Sequence, residues 1–408
     1  MQDIDLYQQI LGLKHPWEVK AVELDPKAGV IKVAVEHPEG HKFACRKCGT
    51  ELGCFDHSPP RKWRHLDTCQ FQTHLIASIP RVKCPEHGTL QVMVPWAEPH
   101  GRFTLFMERF FIQVLLACQN VKSACELLKV SWDQAWHVLM RAVARGQARK
   151  RKTKISHLGV DEKAYRKGHK YLTIVSDLKK GVVEYVGVDR KKSTLEAFFH
   201  GLTKKQLEGV EAIAMDMWEP FFQATMEALP LGADKIVFDR FHIMKHMTEA
   251  VDKVRKGENR KLIAEGDDRL KKTKYLWLSN KENVSENRRQ QIEDLQKADL
   301  KTSRAWAIKE NLRNLWSYYE PGWARRFFGN WYQWATRSRL EPVIKVAKMI
   351  KSKLNHVVTY SKHFITNATA EGLNSKIKAI SARAGGYRNH ENLKTVIYFH
   401  CGGLKLYP

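Results

Sequence analysis

The segment Thr366-Asn-Ala-Thr-Ala-Glu371-Gly-Leu-Asn374-Ser-Lys376-Ile-Lys378-Ala-Ile380 carries the densest set of groups able to do chemistry. Asn367 and Thr369 are good helix N-cap residues, and the pattern behind them has a helical period. At about 100° per residue Leu373, Ile377 and Ile380 share one face, while Glu371, Asn374, Ser375 and Lys378 share the other. A solvated surface helix would produce the same pattern. Two upstream runs argue for more: Ile155-Ser-His-Leu-Gly-Val-Asp161 and Glu211-Ala-Ile-Ala-Met-Asp216 each read as an apolar strand ending in an acid. Open α/β sheets place their chemistry at such strand ends. Two Asp and a helix-borne Glu could hold a pair of Mg2+ (or Mn2+) ions, whose hard oxygen ligands suit phosphate-ester chemistry.

A second constellation lies near the N-terminus. Cys45-Arg-Lys-Cys48-Gly and Cys84-Pro-Glu-His87-Gly are knuckles of matching spacing, each followed by a Gly that permits the tight turn. Cys45, Cys48, Cys84 and His87 satisfy a tetrahedral structural Zn2+ site, and the β-like runs Val30–Val35, Phe71–Ile76 and Gln91–Val94 suggest a zinc ribbon. Buried, reduced thiols with an incidental His are the alternative. Cys54 and Cys69 fall off this spacing, and Cys118, Cys125 and Cys401 read as core thiols.

Length, charge and periodicity bound the rest of the chain. A chain of 408 residues exceeds one ordinary core, and 43% apolar residues suffice to build two or three. With 69 Lys and Arg against 44 Asp and Glu, the net charge is +25, an excess best explained by nucleic acid as partner. No apolar run is long enough to span a membrane and no secretory pattern opens the chain, so a cytoplasmic location is expected. Candidate DNA contacts are Arg61, Lys62 and Arg64, in a basic loop over 58–65 around Trp63 that a solvated loop would match nearly as well, and the run Arg141–Lys154, which includes Arg149, Lys150, Arg151 and Lys152. Phe103 to Cys118 is strongly apolar with helical spacing, and behind it Ser123 to Leu139, with a short turn at Val130-Ser131 before a second helix, fits a helix-turn-helix, although any helical hairpin gives a similar pattern.

From Ile155 onward the spacing predicts a three-strand meander, then alternating helix and strand, hence a mixed α/β sheet in which the first and fourth strands can lie side by side. Residues 261–355 read as helices throughout, with six of the chain's 12 Trp. Most of these are expected in the core, with a few available to stack on frayed bases.

Taken together, Gly159-Val-Asp161-Glu162 with Lys167-Gly-His169, Ala214-Met-Asp216-Met-Trp218, Asp239-Arg-Phe-His242 and the Glu371 segment resemble the bacterial DDE transposases of the ISL-three insertion-sequence family. The resemblance runs from the zinc knuckles to the last helix. It implies a multidomain α+β chain: a zinc-ribbon module (1–100), a helix-turn-helix with basic linker (101–155), a ribonuclease-H-like catalytic domain (156–260 and 356–408), and an all-helical insertion (261–355). It implies Asp161, Asp216 and Glu371 as the metal-binding triad, Lys378 as a basic residue facing DNA beside Lys376, and His242 with Asp239 as a motif near the active site. His242 could equally be a helix-end His bonded to backbone. The partners implied are double-stranded DNA, as element terminal inverted repeats and target, and further copies of the chain in a synaptic homo-oligomer. A DNA-binding regulator on a silent scaffold, or a nuclease without strand transfer, are the competing classes.

Overall fold

The computed structural model describes residues 3–408 other than 152, 167–169, 280, 281, 283 and 284. Lys152 and the Lys167–His169 part of the motif therefore lie outside the described residues. The chain divides into two compact units, one formed by 1–150, 382–385 and 398–408, the other by 151–381 and 386–397.

In the first unit a four-stranded sheet runs in the order Glu18–Asp25, Val30–Glu36, Gln72–Ala77, Arg61–Arg64. Alternation in Val30–Glu36 puts Ile31, Val33 and Val35 on one buried face. They pack with Trp17, Trp63 and Trp96. The stretch around Trp63 is thus a strand with Trp63 inside, where the sequence suggested a basic loop. Beside this sheet, Lys42–Ala44 pairs with Glu51–Gly53, and Pro80–Cys84 lies between Asp56–His57 and Gly88–Gln91. The last strand begins earlier than the expected Gln91–Val94, because the Cys84–Gly88 turn brings the chain back into pairing at once, with Cys84 opposite Gly88.

Three helices follow, Leu105–Cys118, Val121–Leu128 and Trp132–Ala148. Between the last two, Lys129 adopts a left-handed conformation and Ser131 caps the next helix in a reciprocal box with Gln134. Small buried residues, Ala124 and Ala135, let the pair approach closely. The final helix carries Arg141 and Arg145 onto the buried Glu108, and Arg145 also onto Glu98. These two arginines of the basic run are structural, because a carboxylate with 1% exposure must have its charge paired.

The second unit is built on a five-stranded mixed sheet, in the order Val182–Val188, Lys170–Asp177, His157–Arg166, Ala212–Met215, Ile236–Phe238. The first three form an antiparallel meander, and the last three run parallel. Ala212–Met215 and Ile236–Phe238 are buried at every residue, as strands covered on both faces must be. The helices Lys192–His200 and Glu219–Ala228 provide part of that cover. Helix Arg240–Ala264 leaves the last strand, and the described residues from there to Ala368–Arg383 are helical apart from their turns. Within this helical stretch Trp277, Trp306, Trp316 and Trp331 are buried, while Trp323 and Trp334 are exposed. The basic helix Glu341–Ser352 turns Val343, Ala347 and Ile350 inward and its lysines outward.

Candidate active site and zinc centre

Register in the parallel half of the sheet decides the site. Val160 pairs with Met215, and Met215 with Phe238. All three are buried, and the next residue on each strand is an acid: Asp161, Asp216 and Asp239. Three strands in phase therefore deliver three carboxylates in one row at the C-terminal edge of the parallel strands. The strand bearing Asp161 continues to Arg166, past the end expected from sequence, because its antiparallel partner extends the ladder (Asp161 opposite Ile174) after the parallel pairing stops. Asp239 Oδ1 caps the helix Arg240–Ala264 by accepting from the Phe241 N–H at 3.1 Å. That helix raises His242 in its first turn, and His242 Nδ1 lies 3.2 Å from Asp216 Oδ2.

Glu371 arrives on helix Ala368–Arg383, whose buried face is Ala370, Leu373, Ile377 and Ile380. The helix starts one residue before Thr369, so Thr369 lies inside it, and the Glu371 N–H donates to the Asn367 carbonyl at 2.8 Å. Gly159 lets this helix start approach the sheet: a Cβ there would sit 2.9 Å from Asn367 Oδ1 and 2.6 Å from Leu178. One turn on, Asn374 Nδ2 donates to Asp161 Oδ2 at 2.6 Å, and the Asn374 carbonyl accepts from Lys163 Nζ at 3.3 Å. Glu371 and Asp239 both line a cleft of about 720 Å³, together with Arg240, Lys245, Arg313 and Trp316.

The electrostatics are those of crowded acids. Burial first, then the charges of Asp239 and Asp161, raise the Glu371 carboxyl above its ordinary value. Burial likewise raises Asp239, reinforced by Asp216, and raises Asp161 against the Glu162 N–H, His242 and Asn374. The imidazole of His242 opposes the rise at all three. Asp239 Oδ2 is buried with no donor. An acid cluster with an orphaned carboxylate oxygen fits a hard divalent cation. Among the described residues, no three of these groups converge within 4.8 Å, so the acids are more widely spread than the thiol–imidazole set below.

The sequence places Asp239 only in a motif near the active site, not among the metal ligands, and gives Asn374 no role. Asp239 carried a signal, an apolar Ile-Val-Phe run ahead of it like those before Asp161 and Asp216. Asn374 carried only its place on the polar face of the Glu371 helix. Lys376 and Lys378 are exposed on that helix.

In the first unit, ligand atoms of Cys45, Cys48, Cys84 and His87 all lie within 4.8 Å of one another. Cys84 Sγ is 3.5 Å from His87 Nδ1 and 3.7 Å from Cys48 Sγ. The first knuckle closes through Gly49 N–H to the Cys45 carbonyl at 2.8 Å, and Gly49 and Gly88 both take the positive φ that the turns require. Hydrogen bonding, led by the Thr50 hydroxyl, lowers the Cys48 thiol to about 6, toward the thiolate a metal needs. Three thiols and an imidazole suit tetrahedral Zn2+.

The proposed DNA contacts separate. Lys62 and Arg151 are exposed, and Lys150 is half-buried. Arg149 is exposed, with Nη1 donating to the Tyr407 carbonyl at 2.6 Å. Arg61 lies over the Trp63 ring at 4.9 Å and donates to the Gly101 carbonyl. Arg64 is a correction: it is buried, with its guanidinium on Asp67 at 2.5 Å, because the strand that sequence alone took for a loop turns it inward.

Comparison with known proteins agrees with this layout. Residues 41–87 match a family model described as the zinc-finger of transposases of IS204, IS1001, IS1096 and IS1165, which supports structural zinc at the Cys/His set. Residues 92–143 match the helix-turn-helix domain of transposase family ISL3, and residues 158–397 the transposase model of that family. The transposase for insertion sequence element IS1001 of Bordetella parapertussis is 27% identical over 386 residues, covering 93% of this chain and 94% of that protein. The transposase for insertion sequence element IS1557 of Mycobacterium tuberculosis is 26% identical over 423 residues, covering 96% and 94%. No described helix is long and apolar enough to cross a membrane. Zinc ribbon, helix-turn-helix and transposase domain follow in that order on a mixed α/β body, and the chain belongs to the ISL3 family of transposases.

Proposed function

We propose that this chain cleaves DNA at the ends of an insertion sequence and joins those ends to target DNA, using a DDE-type site of Asp161, Asp216 and Glu371. The observation that carries the reading is the in-register row of Asp161, Asp216 and Asp239 with Glu371 brought over it. The mixed sheet and the long helical segment before Glu371 support a ribonuclease-H-like catalytic body interrupted by a helical insertion, within the boundaries set out from sequence. Asp161, Asp216 and Glu371 would hold Mg2+ or Mn2+, and Asp239 adds a fourth carboxylate beside Glu371. The wide spread of the acids suits two ions better than one. Bound there, the ions would polarise the scissile phosphate, ionise a water and neutralise the leaving 3′ oxygen.

The chain's own residues do the rest. Asn374 donates to one Asp161 oxygen and the Glu162 N–H to the other, at 2.6 and 2.7 Å, so the carboxylate is held in a fixed orientation. His242 holds Asp216 from the side and offsets part of the negative charge while the site is empty of substrate. Lys376 and Lys378, one and two turns beyond Glu371, carry positive charge to where the backbone would lie. Strand transfer uses the same residues, the freed 3′-hydroxyl standing where water stood. No Ser or Tyr nucleophile is required. Pairing two DNA ends calls for more than one copy of the chain.

The test is incubation of the purified protein with element-end DNA, target plasmid and Mg2+. Nicked ends and joined products are expected. Asp216→Asn should abolish both while DNA binding stays within about twofold. Binding without any cleavage by the parent chain would indicate a regulator, and cleavage without joining a nuclease. Cutting by the Asn variant would overturn the metal assignment.

A further inference from the structure

The geometry points to a second metal site in the first unit, formed by His37, Cys54 and His57, that binds one Zn2+ or similar divalent transition ion and clips the four-stranded sheet to the zinc ribbon. Their ligand atoms lie within 4.8 Å of one another and belong to none of the four residues of the ribbon site.

The three side chains come from two separate pieces of backbone. His37 immediately follows the strand Val30–Glu36, Cys54 lies two residues before the short strand Asp56–His57 that pairs with Pro80–Cys84, and His57 ends that strand. His37 Nε2 is 2.9 Å from His57 Nε2, and Cys54 Sγ is 3.8 Å from both nitrogens of His57. Two imidazole nitrogens facing each other need something between them. A single shared proton satisfies one pair, and a cation satisfies both rings and the sulfur together.

Two details around the triad fit a metal better than that proton. His37 Nδ1–H donates to the Pro38 carbonyl at 3.0 Å, which leaves the lone pair on Nε2, aimed at the centre of the cluster. Metal-bound imidazoles are usually oriented by this kind of bond on the far nitrogen. The His37 ring is further held edge-on by Trp17 and Phe43, at 5.8 and 4.9 Å between centroids. Asp56, the acid between Cys54 and His57, is occupied by Arg81, with Oδ1 accepting from Nε at 2.6 Å. The pair ties the short strand to Pro80–Cys84 and leaves the donor set as two nitrogens and one sulfur. Such a set suits Zn2+ or Co2+, with an open fourth position on the exposed side for water or an incoming ligand. Binding would displace the Cys54 thiol proton to solvent, forming one metal–sulfur and two metal–nitrogen bonds with no redox change.

The test is a metal count on the full-length protein, equilibrated with micromolar free Zn2+ and then desalted, with Co2+ replacement as a spectroscopic probe. Two ions per chain are expected in the parent and one in Cys54→Ser and in His57→Gln. The Co2+ form of each variant should keep the thiolate charge-transfer bands of the Cys3His ribbon site, which also shows that the unit is folded. A parent chain that binds one ion under saturating Zn2+, or variants that still bind two, would overturn the assignment.

Discussion

Replacing Asp239 by Asn should make the metal-free protein more stable while weakening its response to Mg2+. Asn has nearly the same shape and is as good an N-cap as Asp, so the bond from the Phe241 N–H can survive the change. What disappears is a buried negative charge that faces Glu371 and lies in the row with Asp216. Two carboxylates about 4 Å apart repel by about 4 kcal/mol at an effective dielectric near 20. Both acids are raised by their surroundings, so protonation already removes part of that repulsion. A net gain of about 1–2 kcal/mol is expected, or about 2–8 °C in the melting temperature of a body this size. With Mg2+ the order should reverse. An ion present at about 100 times its Kd stabilises the parent by about 2.7 kcal/mol, and a variant lacking one ligand should show a much smaller shift. Calorimetry in EDTA and across a Mg2+ titration measures both effects, with the Mg2+-responsive transition marking the catalytic unit. If Asp239→Asn melts below the parent in EDTA, or responds to Mg2+ as strongly as the parent, Asp239 is not part of a repulsive cation-binding cluster.

Other perturbations follow from the same geometry. Because the folded carboxyls of Asp161, Asp239 and Glu371 lie above their ordinary values, their charge burden is full above those raised pKa values and lifts as pH falls through them. The Mg2+-induced rise in melting temperature should therefore shrink as pH is lowered from 8 toward 5, as protons displace the ion. Gly159→Ala should destabilise by about 1–3 kcal/mol in urea titrations and depress cleavage further, since the new Cβ meets Leu178 and the side chain of Asn367, the residue whose carbonyl accepts from the Glu371 N–H. DNA binding should weaken steeply with salt, at a slope of roughly −0.9 per phosphate neutralised. Lys62→Ala and Arg151→Ala should each flatten that slope by about one contact. Arg64→Ala should leave it unchanged and lower stability instead, because Arg64 is spent on Asp67.

Much of this architecture was legible in the residues because local periodicity carries it. The zinc knuckles, the turn before Ser131, the order of strands after Ile155 and the inward face of the Glu371 helix all follow from patterns within about fifteen residues. What was hidden depends on remote partners. Nothing near Arg141 and Arg145 announces that Glu98 and Glu108 will neutralise them, and nothing near Arg64 says that its strand turns it inward. Asp239 was underweighted because only three residues of strand precede it, too short a run for alternation to speak. His37 pairs with groups that no spacing rule connects to it.

Asp161 follows the buried run 158–160, and Asp216 and Asp239 follow strands buried at every residue. A one-residue slip in either pairing would turn an Asp to the opposite face and bury it there, which is far costlier than any gain from alternative contacts. Register is thus enforced by the apolar residues, Val160, Met215 and Phe238, and the acids follow passively. Glu371 joins from a helix more than a hundred residues downstream, admitted by the absent side chain at Gly159 and steadied by Asn374 on Asp161. Folding therefore gathers like charges that would repel one another if free, and the apolar core supplies the free energy to do so. If the cluster holds cations as proposed, their entry relieves that repulsion, and the affinity for divalent ions would depend on the same strand register that defines the fold.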